Sequence, residues 1–203
     1  MRKLSKGEPH EAIKDFEGQQ DWALSLDFHR IWRELILETE QHGLSGYTEE
    51  PLKLDNVHID HFYKRSLFSD KVHYWHNLIV DSLDETYGAK YKDKFVKSSD
   101  DNIRLINPIT EDPHLFFRYK VDGRIAPKEM LSGKDQERAE YTICAFNLNE
   151  ASLVERRRAL LKMYDAYGDA SLEQLLDWLK ESGFPSVVEQ MFNERKNYDD
   201  KKK

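Results

Sequence analysis

The chain has 203 residues, a formal net charge of −7 at pH 7, and 38 acidic residues against 31 lysines and arginines. Apolar residues make up 39% of it and charged residues 34%. Because the apolar residues recur throughout at helix or strand spacing, the composition excludes a disordered chain and predicts one or at most two domains. The acidic balance also argues against a protein that binds nucleic acid unassisted.

Residues 9–43 are predicted to be helical. Apolar side chains recur there near the 3.6-residue period, with charged residues between them, namely Trp22, Leu26, Ile31, Leu35 and Ile36. Gly43 predicts the end of this region, because glycine tolerates the left-handed conformation that closes a helix. The first ten residues lack the apolar stretch of a secretory signal, so we expect a cytoplasmic protein.

Residues 44–148 hold the side chains best suited to chemistry, and four of the eight histidines fall between positions 58 and 76. The segment around His58 and Asp60 alternates as in a strand, which directs these two side chains to the same face. An adjacent Asp60–His61 pair suits hydrolysis, because the carboxylate can bind a divalent cation while the neutral imidazole takes a proton from water. The same pair is also typical of an ordinary surface hydrogen bond.

Further candidates lie downstream of this pair. Asn77 carries an amide that can fix a histidine tautomer by hydrogen bonding, although an asparagine here also suits a turn or a cap. Its neighbour His76 follows Tyr74 and Trp75 and is typical of aromatic packing. Asp93 adds a carboxylate inside a basic run that is equally typical of a solvated face.

Residues 116–127 are predicted to form a β-hairpin. Two short alternating segments flank Asp122-Gly123, a pair that favours a type I′ turn. Asn107-Pro108 and Asp112-Pro113 mark turns before it.

Residues 149–203 are predicted to be helical again, broken into about three pieces by Gly168 and by the stretch from Gly183 to Pro185. Cys144, in an apolar segment, is expected to be a core thiol. As the one cysteine, it excludes an internal disulfide and a cysteine-rich zinc site. No window approaches 18 apolar residues, so we expect no membrane association. The predicted fold class is α+β, mostly helical, with a small α+β centre wrapped by terminal helices in one compact domain.

The order Asp-His, then Asn, then a carboxylate in a basic segment resembles the ββα-metal (His-Me finger) fold of HNH endonucleases. More closely, the chain resembles the HNH nuclease subunit of Septu and retron anti-phage systems, the PtuB-like family. The resemblance covers most of the chain. Its collinear segments are residues 1–9, 40–49, 58–62, 75–80, 87–93, the turns at 107–108 and 112–113, the hairpin with Gly123, and residues 142–157.

The resemblance implies metal-assisted hydrolysis of nucleic-acid phosphodiester bonds, with Mg²⁺ foremost and Mn²⁺ or Zn²⁺ as other candidates. By this resemblance Asp60 is a metal ligand, His61 is the general base, and Asn77 holds the loop and orients His61. His58 and His76 are further candidates. Basic side chains around the motif would hold flanking phosphates, namely Lys64, Arg65, Lys90, Lys92 and Lys94.

Two positions depart from the family pattern. The third position of the motif, a histidine or asparagine on a helix, falls near Gly88 or Asp93, and only Asp93 can bind metal, so Asp93 is assigned as the second ligand. At Ser45 many relatives carry a cysteine of a Cys-x-x-Cys zinc pair. This chain therefore has no structural cysteine zinc site, and we expect helices to hold its centre.

The resemblance also implies partners: an ABC-type ATPase of the PtuA kind, a reverse transcriptase with its msDNA if the system is a retron, and a DNA or tRNA substrate. Residues 58–95 hold six basic and six acidic residues, so the negative excess lies in the flanks, and a nuclease of this charge is expected to work with a partner. Two alternatives stay open. One is a catalytically decayed helical adaptor that binds the ATPase, and the other is a hydrolase that uses His61 on a different substrate.

Overall fold

The computed structural model describes residues 1–167 and 170–202. The fold is mixed α+β and mostly helical, as the sequence predicts, with two small antiparallel sheets. The strands are β1 (Val57–His61), β2 (Leu78–Ser82), β3 (Phe117–Tyr119) and β4 (Ile125–Pro127). The α-helices are α1 (His29–Leu35), α2 (Gly88–Phe95), α3 (Ser99–Arg104), α4 (Gly133–Ala145), α5 (Ala151–Asp165), α6 (Leu172–Leu179) and α7 (Pro185–Asp200). Within the described ranges, no helix is long and apolar enough to cross a membrane.

The amino-terminal region is helical only in short pieces. Two 3₁₀ helices, Glu11–Phe16 and Trp22–Phe28, precede α1, and a π-helical turn at Ile36–Glu40 follows it. Gly18, with φ +80°, lies in the break between the two 3₁₀ helices. Such a left-handed backbone cannot continue a right-handed helix. The side chain of Asp21 then caps the second piece by accepting a hydrogen bond from the N–H of Ala23.

The apolar stripe predicted for this region is only partly correct. Leu26 is 66% exposed, because it lies in a 3₁₀ helix, whose angular spacing differs from that of the predicted α-helix. Ile31 is 47% exposed on α1. The predicted end at Gly43 is confirmed, since its N–H donates to the carbonyl of Leu37 at 2.8 Å with φ +74°.

Strands β1 and β2 pair antiparallel, with Asp60 opposite Ile79 and His61 opposite Leu78. Helix α2 follows β2 in the chain and packs against it. Alternate residues of β2 point into different cores: Ile79 joins the main core, and Leu78 and Val80 join a smaller one. Strand β2 is buried on both faces, which explains its apolar run from Leu78 to Val80. It pairs with β1, the strand that carries Asp60 and His61.

The main core unites the three predicted regions. It contains Met1 and Leu4 from the amino-terminal region, Tyr47 from the middle, and Val187 and Val188 from α7. The smaller core packs the amino-terminal pieces, around Trp32, on the other face of the β1–β2 sheet. The helices at both ends therefore wrap the central sheet.

The hairpin at residues 117–127 is confirmed, but its predicted turn type is wrong. Tyr119 pairs with Ile125, and Lys120 donates to the carbonyl of Arg124 at 2.7 Å, which leaves a loop of three residues. Only Gly123 in that loop has a positive φ, +85°, whereas a type I′ turn needs two such residues.

The carboxy-terminal helices α5, α6 and α7 match the three predicted pieces. The break at Gly183 is confirmed, with φ +72°, while the break predicted at Gly168 lies outside the described residues. Helix α4, before them, was not predicted. Its residue Cys144 is exposed, so the expected core thiol is wrong: this position lies on the solvent face of α4.

Candidate active site

An open cleft of about 480 Å³ lies between β1 and α2. Its walls carry seven of the side chains singled out from the sequence, namely His58, Asp60, His61, Lys64, Arg65, Lys90 and Asp93. The amino-terminal segment closes one side with Gln20, Asp21 and Trp22. The fold thus brings most of the predicted site together, while His76, Asn77, Lys92 and Lys94 lie outside the cleft lining.

The His61 ring is held in one tautomer. Its Nε2 lies 2.9 Å from the carbonyl oxygen of Val72, and because a carbonyl only accepts, Nε2 carries the proton and donates it. The lone pair of the neutral ring is therefore on Nδ1. Burial lowers the pKa of His61 to about 3, against the opposing charge of Asp60. The ring is therefore neutral at pH 7, with Nδ1 unprotonated.

Trp22 forms a wall against this histidine. Its ring centroid lies 4.5 Å from that of His61, with the planes nearly perpendicular, and it also stacks on His29 at 4.1 Å. Edge-to-face and stacked pairs of this kind restrict the motion of both rings. The segment before α1 thus limits the orientations available to the His61 ring.

Asp60 is buried and hydrogen-bonded through one oxygen. Its Oδ2 accepts from the Tyr47 hydroxyl at 2.5 Å and from Lys92 Nζ at 2.6 Å. Burial alone would raise the pKa of Asp60, but the charge of Lys92 and these hydrogen bonds lower it. No described residue donates a hydrogen bond to Oδ1, and Asp60 lines the cleft. This carboxylate is therefore charged and has one free oxygen.

Lys92 lies beneath the cleft and is 0% exposed. Besides Asp60, its Nζ donates to the carbonyl of His61 at 2.8 Å and lies 3.5 Å from Oδ1 of Asp93. The assignment of Lys92 to phosphate binding is therefore wrong, because its ammonium is turned inward to neutralise Asp60.

The remaining basic candidates divide into three groups. Arg65 and Lys90 line the cleft and form no hydrogen bond or ion pair within the described part of the chain. Lys64 also lines it, but its ammonium donates to the carbonyls of Asp93 at 2.6 Å and Val96 at 3.2 Å. Lys94 pairs with Glu85 at 2.8 Å, away from the cleft.

The two other histidine candidates differ in position. His58 lies in the cleft wall, and its Nε2 is buried without a hydrogen-bond partner among the described residues. Burial lowers the pKa of His58, although the Asp60 charge opposes this. His76 stacks on Tyr74 at 5.5 Å, outside the cleft, as aromatic packing predicts.

Asn77 is fully buried and closes the loop that follows His61. Its Oδ1 accepts from the N–H of Tyr63 at 2.7 Å, and its Nδ2 donates to the carbonyls of Lys71 at 2.9 Å and Tyr63 at 3.1 Å. It makes no hydrogen bond to the His61 ring. The orienting carbonyl belongs to Val72, the residue after Lys71, so the side chain of Asn77 can reach the ring only through the loop.

Asp60 and Asp93, as they stand, do not fit the metal site that the resemblance implies. The Lys92 ammonium already lies near both carboxylates, at 2.6 and 3.5 Å. Across the described residues, no three His, Cys, Asp or Glu side chains are grouped so that they could hold a metal ion. Burial, followed by the Asp60 charge, raises the pKa of Asp93. The divalent metal stays a prediction.

Ser45, which the resemblance places at a zinc cysteine, makes hydrogen bonds to a neighbouring strand. It donates to Oδ1 of Asp81 at 2.5 Å, and Oδ2 of Asp81 accepts from the N–H of Ala89 at 2.6 Å. Burial raises the pKa of Asp81 to about 7. A buried carboxyl group, and not only the helices we expected, therefore connects residue 45 to β2 and α2.

The sequence interpretation missed three contributors to this site and gave a fourth, Lys92, the wrong role. Tyr47 and Trp22 reach it from distant parts of the chain, and Asn102 of α3 binds the backbone after His61, accepting from the N–H of Lys64 at 2.8 Å. These long-range contacts leave no local signal. For Lys92 a signal existed, because helical spacing places it on the same face as the small residues at positions 88 and 89.

No protein-family model matches this chain, and a search of curated proteins gives no significant match. Arguments about its function therefore depend on the residues and the geometry of this cleft.

Proposed function

We propose that the cleft between β1 and α2 hydrolyses phosphodiester bonds in nucleic acid, with His61 as the general base. The observation that carries the proposal is the state of that ring: Nε2 is committed to Val72, and Nδ1 keeps its lone pair in a cleft that also holds Arg65 and Lys90. Hydrolysis of a phosphate diester needs a base for water and positive charge for the phosphate. The resemblance to HNH endonucleases supports this choice of substrate.

In the proposed reaction, water attacks phosphorus while Nδ1 of His61 takes one proton from it. The bond from phosphorus to the 3′-oxygen breaks, and that oxygen leaves with a proton from solvent. The imidazolium forms beside Asp60, whose negative charge favours it. Arg65 and Lys90 lie where they would balance the charge that develops on the phosphate oxygens.

His61→Ala tests the proposal directly. We expect cleavage of plasmid DNA or tRNA to fall at least about 10²-fold, the usual contribution of a general base. His76→Ala is the matched control, since that ring lies outside the cleft. Circular dichroism and thermal melting would show that both variants fold. Full activity in folded His61→Ala would contradict the proposal.

We also propose that the chain acts in the cytoplasm as the effector of an anti-phage complex with an ABC-type ATPase, joined in a retron by a reverse transcriptase and its msDNA. The net charge of the chain supports the requirement for a partner. The net charge of −7 and the balanced region at residues 58–95 give weak attraction to a polyanion, so a partner with a basic surface would have to supply it.

Co-expression with an ATPase encoded beside this chain tests the partner. We expect the two proteins to elute together in size-exclusion chromatography and the complex to bind nucleic acid more tightly than the chain alone. Elution of this chain only as a free monomer would contradict the assignment.

One observation favours a second function, a decayed HNH-like adaptor that binds the ATPase without catalysis. The ion pair of Lys92 with Asp60 lies where the resemblance implies a metal. The adaptor predicts ATPase binding with no cleavage of DNA or RNA in Mg²⁺, Mn²⁺ or EDTA, whereas the nuclease predicts cleavage that depends on His61.

A further inference from the structure

The ammonium of Lys92 lies at the centre of the group of carboxylates beneath the cleft. It is 2.6 Å from Oδ2 of Asp60, 2.8 Å from the carbonyl oxygen of His61 and 3.5 Å from Oδ1 of Asp93. The side chain is entirely removed from solvent. A buried ammonium with oxygen acceptors on several sides occupies the kind of environment that a metal cation would otherwise require.

We infer that Lys92 takes the place of a divalent cation at this cleft, so that the site works without a metal ion bound by Asp60 and Asp93. Lys92 is then a positioning residue, because it contacts no substrate and acts through Asp60 and the backbone of His61. The part of this inference that concerns cleavage rests on the proposed function. The part that concerns metal binding does not.

The charges around Asp60 support the inference that Lys92 takes the place of a metal ion. One ammonium already compensates the charge of Asp60, at 2.6 Å from its Oδ2. A divalent ion bound between Asp60 and Asp93 would lie next to that ammonium, where the repulsion is only weakly screened. An ion that binds Oδ2 of Asp60 would have to displace the Lys92 ammonium from that oxygen.

Apart from Asp93, which lines the cleft, helix α2 offers no metal ligand among the inward residues at positions 88 and 89. Position 88, one turn before Lys92, is a glycine with φ +68°, and a Cβ there would collide with Oδ2 of Asp81. Ala89, the next inward residue, has no ligating atom. Besides the Asp93 carboxylate, α2 therefore brings the Lys92 ammonium to Asp60.

A titration of the purified full chain with Mn²⁺ alone, followed by electron paramagnetic resonance and calorimetry, tests the inference. We expect wild type and Asp60→Asn to bind Mn²⁺ equally weakly, with no stoichiometric site. A one-to-one Mn²⁺ site in wild type that is lost in Asp60→Asn would overturn the inference. This comparison needs no catalytic activity, so it decides the matter even if the proposed function fails.

Cleavage gives a second readout on the same proteins. Wild type should cleave at a rate that EDTA changes by less than about twofold, and Lys92→Ala should lose at least about tenfold of this metal-free rate. Lys92→Arg, which keeps the charge, should restore most of it, and Lys97→Ala, at an exposed position outside the cleft, should change nothing. Loss of wild-type cleavage in EDTA with recovery in Mg²⁺ would overturn the inference, as would a Lys92→Ala variant that cleaves normally.

If Lys92→Ala does not fold, the Mn²⁺ titration and the EDTA assay on wild type still decide. If no protein cleaves under any condition, the nuclease proposal fails and the Mn²⁺ titration alone judges the role of Lys92.

Discussion

Two buried carboxylates, Glu49 and Asp60, are surrounded by the same kinds of groups. Glu49 accepts from the amino group of Met1, with which it pairs at 2.6 Å, from the Tyr119 hydroxyl at 3.0 Å, and from the N–H of Ser186 at 2.9 Å. Both of its oxygens are satisfied, and it is completely buried. This site holds the start of the chain against α7 and leaves nothing free to react.

Asp60 also has a cation and a tyrosine hydroxyl, supplied by Lys92 and Tyr47, but both bind the same oxygen. The other oxygen has no donor within the described residues, and Asp60 borders an open cleft. A buried ion pair alone therefore does not show whether a carboxylate has a structural or a reactive role. The two roles differ in how many carboxylate oxygens accept hydrogen bonds and in whether solvent reaches the group.

The largest effect is expected from Glu49→Gln. It leaves the Met1 ammonium buried without its carboxylate, so the free energy of unfolding should fall by about 3–5 kcal/mol. Urea denaturation monitored by circular dichroism measures this. Cleavage per folded molecule should not change, because Glu49 lies outside the cleft. A loss below about 1 kcal/mol would mean that the pair is not a structural anchor.

Asp60→Asn should affect cleavage more than stability, the opposite of Glu49→Gln. Cleavage should fall about 10²-fold, because the imidazolium of His61 loses the charge that favours it. The loss of stability should be smaller than for Glu49→Gln, since Lys92 keeps Asp93 as a second carboxylate nearby. Single-turnover rates and urea midpoints, measured on the same preparations, would separate the two effects. An Asp60→Asn protein that is unstable but fully active would show that Asp60 stabilises the fold and takes no part in cleavage.

Asp81 sharpens the comparison, because it is a buried carboxyl with two hydrogen-bond donors and no cation. The pKa of Glu49 is about 2, since the Met1 ammonium outweighs burial, whereas burial raises that of Asp81 to about 7. A raised carboxyl pKa adds stability at low pH. This stability is lost as pH rises from about 4 to about 7, at roughly 1.4 kcal/mol per pH unit.

Asp81→Asn should remove that slope, because the amide can donate to Ser45 and accept from Ala89 without titrating. Denaturation curves at several pH values between 4 and 8 would show it as a flatter profile and as a more stable protein at pH 8. An unchanged slope would place the titration on another group.

Some of this site follows directly from the sequence. Asp60 and His61 are neighbours on a strand, so any fold that exposes the end of that strand brings them to one place. The Asp122-Gly123 pair identified its hairpin, although Gly123 alone adopts the left-handed conformation. Local patterns of this kind are set by backbone geometry and survive in almost any tertiary context.

The rest depended on contacts that local patterns do not encode. The basic residues at 90, 92 and 94 alternate like a solvated run, yet the helical period turns Lys92 inward while Lys90 faces the cleft. The amino-terminal period predicted burial for Leu26 and Ile31, but the 3₁₀ geometry turned Leu26 outward and Ile31 lies on the exposed face of α1. Tertiary packing overrides propensity at such positions.

The position of Trp22 gives the cleft its own optical reporter. Of the four tryptophans, Trp32 and Trp75 are buried in the smaller core and Trp178 lies on α6, so Trp22 is the one whose indole borders the cleft. Indole emission responds to the polarity and to the charge beside the ring. An oligonucleotide that enters the cleft should therefore shift the fluorescence of this one side chain, and occupancy can be followed without a label and without turnover.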